Sequence, residues 1–273
     1  MIIRLFCSKC AREVSKKLRG HASIDVPMPV SRLSDNGEYE VICEKGHKSI
    51  VVLDNLKFEL LFEMGLNLLI DSYPREAVTS FVSSLERFYE FYWRVVMNNG
   101  SISDEAAVAA WKPLSKLSER QLGAYVSASL ILTKSPPSLL DPNKEVQFRN
   151  NVIHNGYVPT KQEAISFGDS VMGLINTEIG KLRELSPVAL LATYDNLSPK
   201  AKYPDSKDEQ ENPDERGFVN MLTAIDVRHS PKEDDKRVGG VEAQFQRILE
   251  ERQPYKIELF ANEEMRRRYL DQT

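Results

Sequence analysis

From Ala77 to Val95 the residues Ala77, Val78, Phe81, Leu85, Phe88, Tyr92 and Val95 recur mostly at steps of three and four. That spacing lines one face of an α-helix and obliges the face to be buried. A helix this long needs partners, and the neighbouring sequence supplies them. Leu56 to Ile70 reads as an apolar helix, and Pro74 suits the first turn of the striped helix, where its missing N–H would be unpaired anyway. Asn98-Asn99-Gly100 stops that helix. Ser101-Ile102-Ser103-Asp104 reads as a capping box, with Asp in place of Glu, before a short helix to Trp111. Ser118 to Thr133 and Lys144 to Ile153 are further helices, the second ended by Asn155-Gly156. Thr160 caps the last long helix with Glu163 reaching back to it, and Ala164, Gly168, Val171, Ile175, Ile179 and Leu182 form its packed face. The segment 56–186 is thus expected to be an all-α bundle of four or five helices.

The flanks have a different texture, and 273 residues leave room for two domains. In residues 1–55, Glu40-Val41-Ile42 and Ser49 to Leu53 are β-branched runs around Cys43 to His47, the pattern of two strands joined by a tight turn. Residues 187–273 read as a charged linker and a C-terminal α/β or irregular extension. Lys200 to Arg216 is rich in Pro, Asp, Glu and Lys. Phe218 to Val227 suits a strand or short helix, and Val241 to Arg252 and Glu263 to Leu270 suit helices. The fold expected is mainly α, with a small N-terminal β unit.

Composition narrows the function. A formal net charge of −4 argues against a highly basic nucleic-acid coat protein. The longest apolar stretch, Leu60 to Ile70, is broken by Glu63 and Asn67 and is too short to span a bilayer. With no secretory pattern at the N-terminus, the chain is expected to be cytoplasmic, without membrane partners. No glycine-rich phosphate loop, Gly-x-Ser-x-Gly or His-Glu-x-x-His occurs.

Two pairs of residues carry a metal signal. Cys7 and Cys10 stand at CxxC spacing, and Cys43 and His47 are separated by three residues that include Gly46. Four N/S ligands on two hairpin knuckles suit tetrahedral zinc in a closed structural site. The pattern resembles zinc ribbons, with a longer gap between the pairs than is common. His21 lies in that gap and competes with His47 for the fourth position. Free thiols are the alternative.

Phe148-Arg149-Asn150-Asn151-Val152-Ile153-His154-Asn155-Gly156 sets a permanent cation, three amides and an imidazole in one short stretch. Arginine binds phosphate bidentately, and histidine moves protons near neutral pH. Residues five apart on a helix stand ~140° apart around its axis. Arg149 and His154 therefore converge only at a fraying helix end or across two copies of the chain. The alternative is an Arg149 paired with Glu145 one turn back and a His154 placed by the helix dipole.

The Arg149 to His154 stretch resembles the Arg-x4–6-His signature of HEPN domains. Phe148 before it, Asn155-Gly156 after it, the Thr-capped helix with Glu163-Ala164, and the long helix from Arg75-Glu76-Ala77 to Val96 are similar to that bundle, over about residues 56–186. The resemblance implies a homodimer through the helical bundle that places both motifs in one cleft. It also implies metal-independent endoribonuclease activity on RNA, with Arg149 on the phosphate, His154 moving the proton and Asn150 orienting either of them. Attack by the 2′-OH would leave a 2′,3′-cyclic phosphate and a 5′-OH, and DNA would resist. A toxin or antiviral-defence role (abortive infection), with an inhibitory or activating protein partner, is the expectation that follows. The other reading is a non-catalytic RNA- or protein-binding module within a defence complex. The aromatic group Phe88, Tyr89, Phe91, Tyr92 and Trp93 suits core packing plus a dimer face rather than base stacking, and Arg266-Arg267-Arg268 suits a solvated helix face.

Overall fold

The computed structural model describes residues 1–10, 22–24, 30–203, 216–228, 238–252 and 257–259. His21, His229, most of the 200–216 linker, the 263–270 helix and Arg266 to Arg268 lie outside them. No helix among the described residues is long and apolar enough to cross a membrane. The chain is mainly helical, with a small three-stranded sheet, and divides into two compact units.

The first unit comprises residues 1–54, 199–221 and 250–273. Strands β1 (Ile2–Arg4) and β3 (Val30–Arg32) pair antiparallel, as do β2 (Ala22–Ile24) and β7 (Ile257–Leu259). The predicted hairpin is present. Strands β4 (Glu38–Ile42) and β5 (Lys48–Leu53) run antiparallel, from Glu38 opposite Val52 to Ile42 opposite Lys48. A third strand, β6 (Arg216–Val219), lies parallel to β5 with Ile50 opposite Arg216. Local pattern gives no warning of this pairing, because the two strands are far apart in sequence. Gly217 of β6 is required by a close approach, since a Cβ there would strike the hydroxyl of Ser8 in the first cysteine knuckle.

The second unit, residues 55–198 and 222–249, is the bundle. Its helices are α1 (Lys57–Ile70), α2 (Pro74–Asn99), α3 (Asp104–Leu114), α4 (Ser118–Thr133), α5 (Gln147–His154), α6 (Lys161–Leu185) and α7 (Pro187–Leu197). Helix α8 (Gln244–Glu251) belongs to this unit as far as Leu249. Six α-helices between Lys57 and Leu185 exceed the four or five expected. Helix α7 was not anticipated: its Ala189, Leu190, Thr193 and Tyr194 are buried, while Val188 and Leu191 on the other side are exposed and blur the stripe.

Helix α2 is the central element. Its predicted stripe is buried, and so are Ser80, Ser84, Tyr89 and Phe91 on other faces, because α1, α4, α6 and α7 all pack against it. The hydroxyls of Ser80 and Ser84 donate to the carbonyls of Leu61 and Phe58, which lets α1 approach closely. Phe88, Tyr89, Phe91 and Tyr92 are core residues. Tyr89 stacks on Tyr125 at 4.6 Å and Phe58 meets Phe91 at 5.4 Å, so these rings are closed to a nucleobase.

Local signals mostly place the helix ends. Thr160 and Glu163 form the predicted reciprocal cap, with Thr160 N–H to Glu163 at 2.8 Å and Glu163 N–H to the Thr160 hydroxyl at 3.2 Å. The N-cap of α3 is Ser103, not Ser101, and α3 runs past Trp111 to Leu114. Ser101 has φ +60° in the turn that closes α2, which denies it the extended backbone of a capping residue.

Candidate functional site

The two knuckles meet. Cys7, Cys10, Cys43 and His47 bring their ligand atoms within 4.8 Å of one another. Cys10 Sγ lies 3.7 Å from Cys43 Sγ and 3.4 Å from His47 Nδ1, and Cys7 Sγ lies 3.9 Å from that nitrogen. A tetrahedral zinc ion with bonds of about 2.3 Å to sulfur and about 2.0–2.1 Å to nitrogen has ligand–ligand edges of roughly 3.6–3.8 Å. These three separations lie near such edges, and the four ligand atoms are close enough together that the cluster could hold one metal ion.

Local backbone builds both corners. In the first knuckle the Cys10 N–H points to Cys7 Sγ at 3.4 Å. In the second, Cys43 N–H donates to the His47 carbonyl and Gly46 N–H to the Cys43 carbonyl, with Gly46 at φ +75°, a left-handed turn that glycine enters without strain. The thiols are unevenly set. Burial, followed by the Cys43 and Cys7 thiols, pushes Cys10 up to about 12. Burial also acts to raise Cys43, but hydrogen bonds from the backbone of His47 and Lys45 and from the Cys10 and Cys7 thiols together hold it below its ordinary value. Three thiols packed without a cation resist ionisation together, and a divalent ion reverses that balance by bonding the thiolates. His47 is the fourth member of the described cluster, and His21 lies outside the described residues.

Arg149, Asn150 and His154 all lie on α5, preceded by a π-helical turn at Pro142–Val146. Arg149 does not pair with Glu145. Its Nη2 contacts Glu86 of α2 at 3.3 Å and its Nη1 donates to Asn150 Oδ1 at 2.9 Å. Glu145 instead accepts from the Asp141 N–H and the Ser170 hydroxyl and pairs with Lys144. Glu86, which lies 63 positions from Arg149, carries no sequence signal that could have found it. The neighbouring Tyr89 hydroxyl is held above the usual phenol range, first by burial and then by the Glu86 charge, while Arg149 opposes the shift, so it stays protonated at neutral pH.

His154 is the last residue of α5, exposed, and the predicted stop follows it: Asn155 caps the helix and Gly156 has φ +72°. Arg149 and His154 make no hydrogen bond to each other. In a single chain the guanidinium is turned toward α2 while the imidazole stands free on the surface.

Comparisons of the chain with family models, with curated proteins and with solved structures give no match.

Proposed function

We propose that this chain is a HEPN-type endoribonuclease that needs no metal for catalysis and carries a structural zinc ion in its N-terminal unit. The observation that carries the reading is the state of α5. It presents an exposed imidazole at its C-terminal end and, on the same short helix, a guanidinium oriented by Glu86 and Asn150. In the proposed reaction His154 takes the proton of an RNA 2′-OH as that oxygen bonds to the adjacent phosphorus. Arg149 stabilises the charge on the phosphoryl oxygens. The P–O5′ bond breaks, a second proton-transferring group protonates the 5′-oxygen, and the products are a 2′,3′-cyclic phosphate and a 5′-OH. A homodimer of the bundle would set two such helices in one cleft and so overcome the ~140° separation within one chain. Zinc on Cys7, Cys10, Cys43 and His47 would act in folding, since four protein ligands leave no open position. The role would be that of a cytoplasmic toxin or antiviral-defence effector, held or triggered by a protein partner.

A second reading, a non-catalytic RNA- or protein-binding module, draws on the Arg149–Glu86 contact, which occupies the cation that a phosphate would need. One experiment separates the two. Zinc-loaded wild type and His154→Ala are incubated with RNA in buffer free of magnesium and other added divalent ions, with folding followed by circular dichroism and product ends analysed. Cleavage by wild type alone, leaving cyclic phosphates, is expected. Cleavage that requires added magnesium, or none by the folded dimer, counts against the nuclease.

A further inference from the structure

Helices α5 and α6 leave a gap that protein does not fill. Phe148 of α5 meets Phe167 of α6 with ring centroids 5.6 Å apart. Beside these rings opens a groove of about 380 Å³, near the lower end of the roughly 300–1,000 Å³ usual for small-molecule sites. It is lined by Phe148 and the largely buried Phe167, by Lys144 and Glu145 of the π-helical turn, and by Gln162, Glu163 and Ser166 of α6.

The rim groups differ in how far the protein has satisfied them. Glu145 accepts from Asp141 and Ser170, and Glu163 accepts from Thr160 and from the Tyr157 hydroxyl at 2.8 Å. Gln162 and the Ser166 hydroxyl are exposed and make no side-chain hydrogen bond to the described residues. An amide offers two donors and an acceptor, and a hydroxyl offers either role. An aromatic floor with a free amide and hydroxyl at its edge matches a flat heteroaromatic ring with donors and acceptors around its perimeter. That is the chemistry of a nucleobase splayed out of a single strand. Lys144 lies on the same rim and pairs with Glu145 at 3.3 Å.

The groove also adjoins the motif. Phe148 directly precedes Arg149, and Tyr157, three residues beyond His154, sets its ring 6.3 Å from Phe148. We infer that this groove holds one nucleobase flanking the scissile phosphate, with Gln162 and Ser166 selecting its edge. The inference rests on the ribonuclease reading above.

The test compares wild type with Gln162→Ala and Ser166→Trp. The first removes the edge reader, and the second fills the groove from an exposed rim position. Melting curves verify that both are folded. Cleavage sites are mapped on a random-sequence RNA. Wild type is expected to favour one base at a fixed position beside the cut. Gln162→Ala should weaken that preference about tenfold, the equivalent of one lost hydrogen bond, and Ser166→Trp should lower kcat/KM at favoured sites at least as much. Wild-type cleavage with a preference unchanged in both variants overturns the groove as a base site and leaves the nuclease standing. If wild type does not cleave, the nuclease reading has failed, and saturation-transfer NMR with the four nucleoside 5′-monophosphates decides the groove alone. Binding that Ser166→Trp abolishes keeps it as a base site, and no binding by wild type sinks it.

Discussion

Glu63 and Arg247 show how a single buried charge commits distant parts of the chain to one another. Their side chains are almost fully buried, and Arg247 Nη2 reaches both Glu63 carboxylate oxygens, at 2.8 and 2.9 Å. Glu63 also accepts the Ala224 N–H, and Arg247 donates to the Leu222 carbonyl. Removing one partner strands the other in the core, so Arg247→Ala is expected to cost about 3–5 kcal/mol, while replacing both residues by apolar ones costs less. Urea unfolding of the two variants checks this. One helical turn earlier, Glu59 accepts the N–H groups of Leu56 and Val227, one on each oxygen. Burial raises this carboxyl from its ordinary 4.5 to about 7, with the Asp226 charge adding to it, and the two N–H groups and Arg228 oppose the shift. Between these values the folded state keeps a proton that the unfolded chain has released. The Glu59 contribution to stability therefore falls as pH rises from about 4.5 to about 7, and is flat above. Glu59→Gln removes that slope and turns an NH2 toward one N–H, at a cost of about 1–3 kcal/mol. Denaturation midpoints at pH 5 and 7.5 should converge in the variant relative to wild type.

At the scale of elements, the bundle is organised by the approach of other helices to α2. Phe81 is wholly buried between Gly65 of α1 and Gly168 of α6, and a Cβ at either glycine would enter its ring. Gly65→Ala is expected to destabilise the fold by roughly 1–3 kcal/mol despite its better helix propensity, because a core ring cannot move aside. Thermal melting against wild type measures it, and an unchanged or raised Tm would sink the argument. Much of this level was legible: the Ala77 to Val95 stripe, the Thr160–Glu163 cap, and the stop after His154 are all encoded within a few residues. The Glu63 and Asn67 interruptions in Leu60 to Ile70 were legible only as polarity. Sequence spacing treats such residues as exposed, whereas Glu63 is buried because Arg247 and Ala224 come to it.

On the scale of the whole molecule, the expected boundaries at 55/56 and 186/187 meet a chain that returns. The first compact unit takes residues 199–221 and 250–273 as well as 1–54, and the bundle takes 222–249. The C-terminal third thus contributes β6 and β7 to one unit, and Ala224, Val227 and Arg247 to the buried carboxylates of the other. Within the first unit, the metal cluster joins residue 7 to residue 47 and sits beside Gly217 through Ser8. Stripping the metal, or Cys10→Ser, is therefore expected to unfold that unit, as structural zinc sites generally supply folding free energy. Metal analysis of the purified chain should give one zinc per chain, and chelator should lower the melting temperature. A full-strength fold without bound metal would leave the cysteines as plain thiols.

Features that depend on short range were readable in the order of residues: helical and strand periodicity, caps and stops, and the two ligand pairs whose spacing is set by their own turns. The same order placed Arg149, Asn150 and His154 on one short helix. Long-range packing alone turns Arg149 to Glu86, adds β6 to the sheet on β5, and brings Glu59 and Glu63 the groups that satisfy them. The physical reason is that a buried charge or an open strand edge must be paired, but nothing in its own neighbourhood says by whom. The partner is fixed by where the rest of the chain is packed.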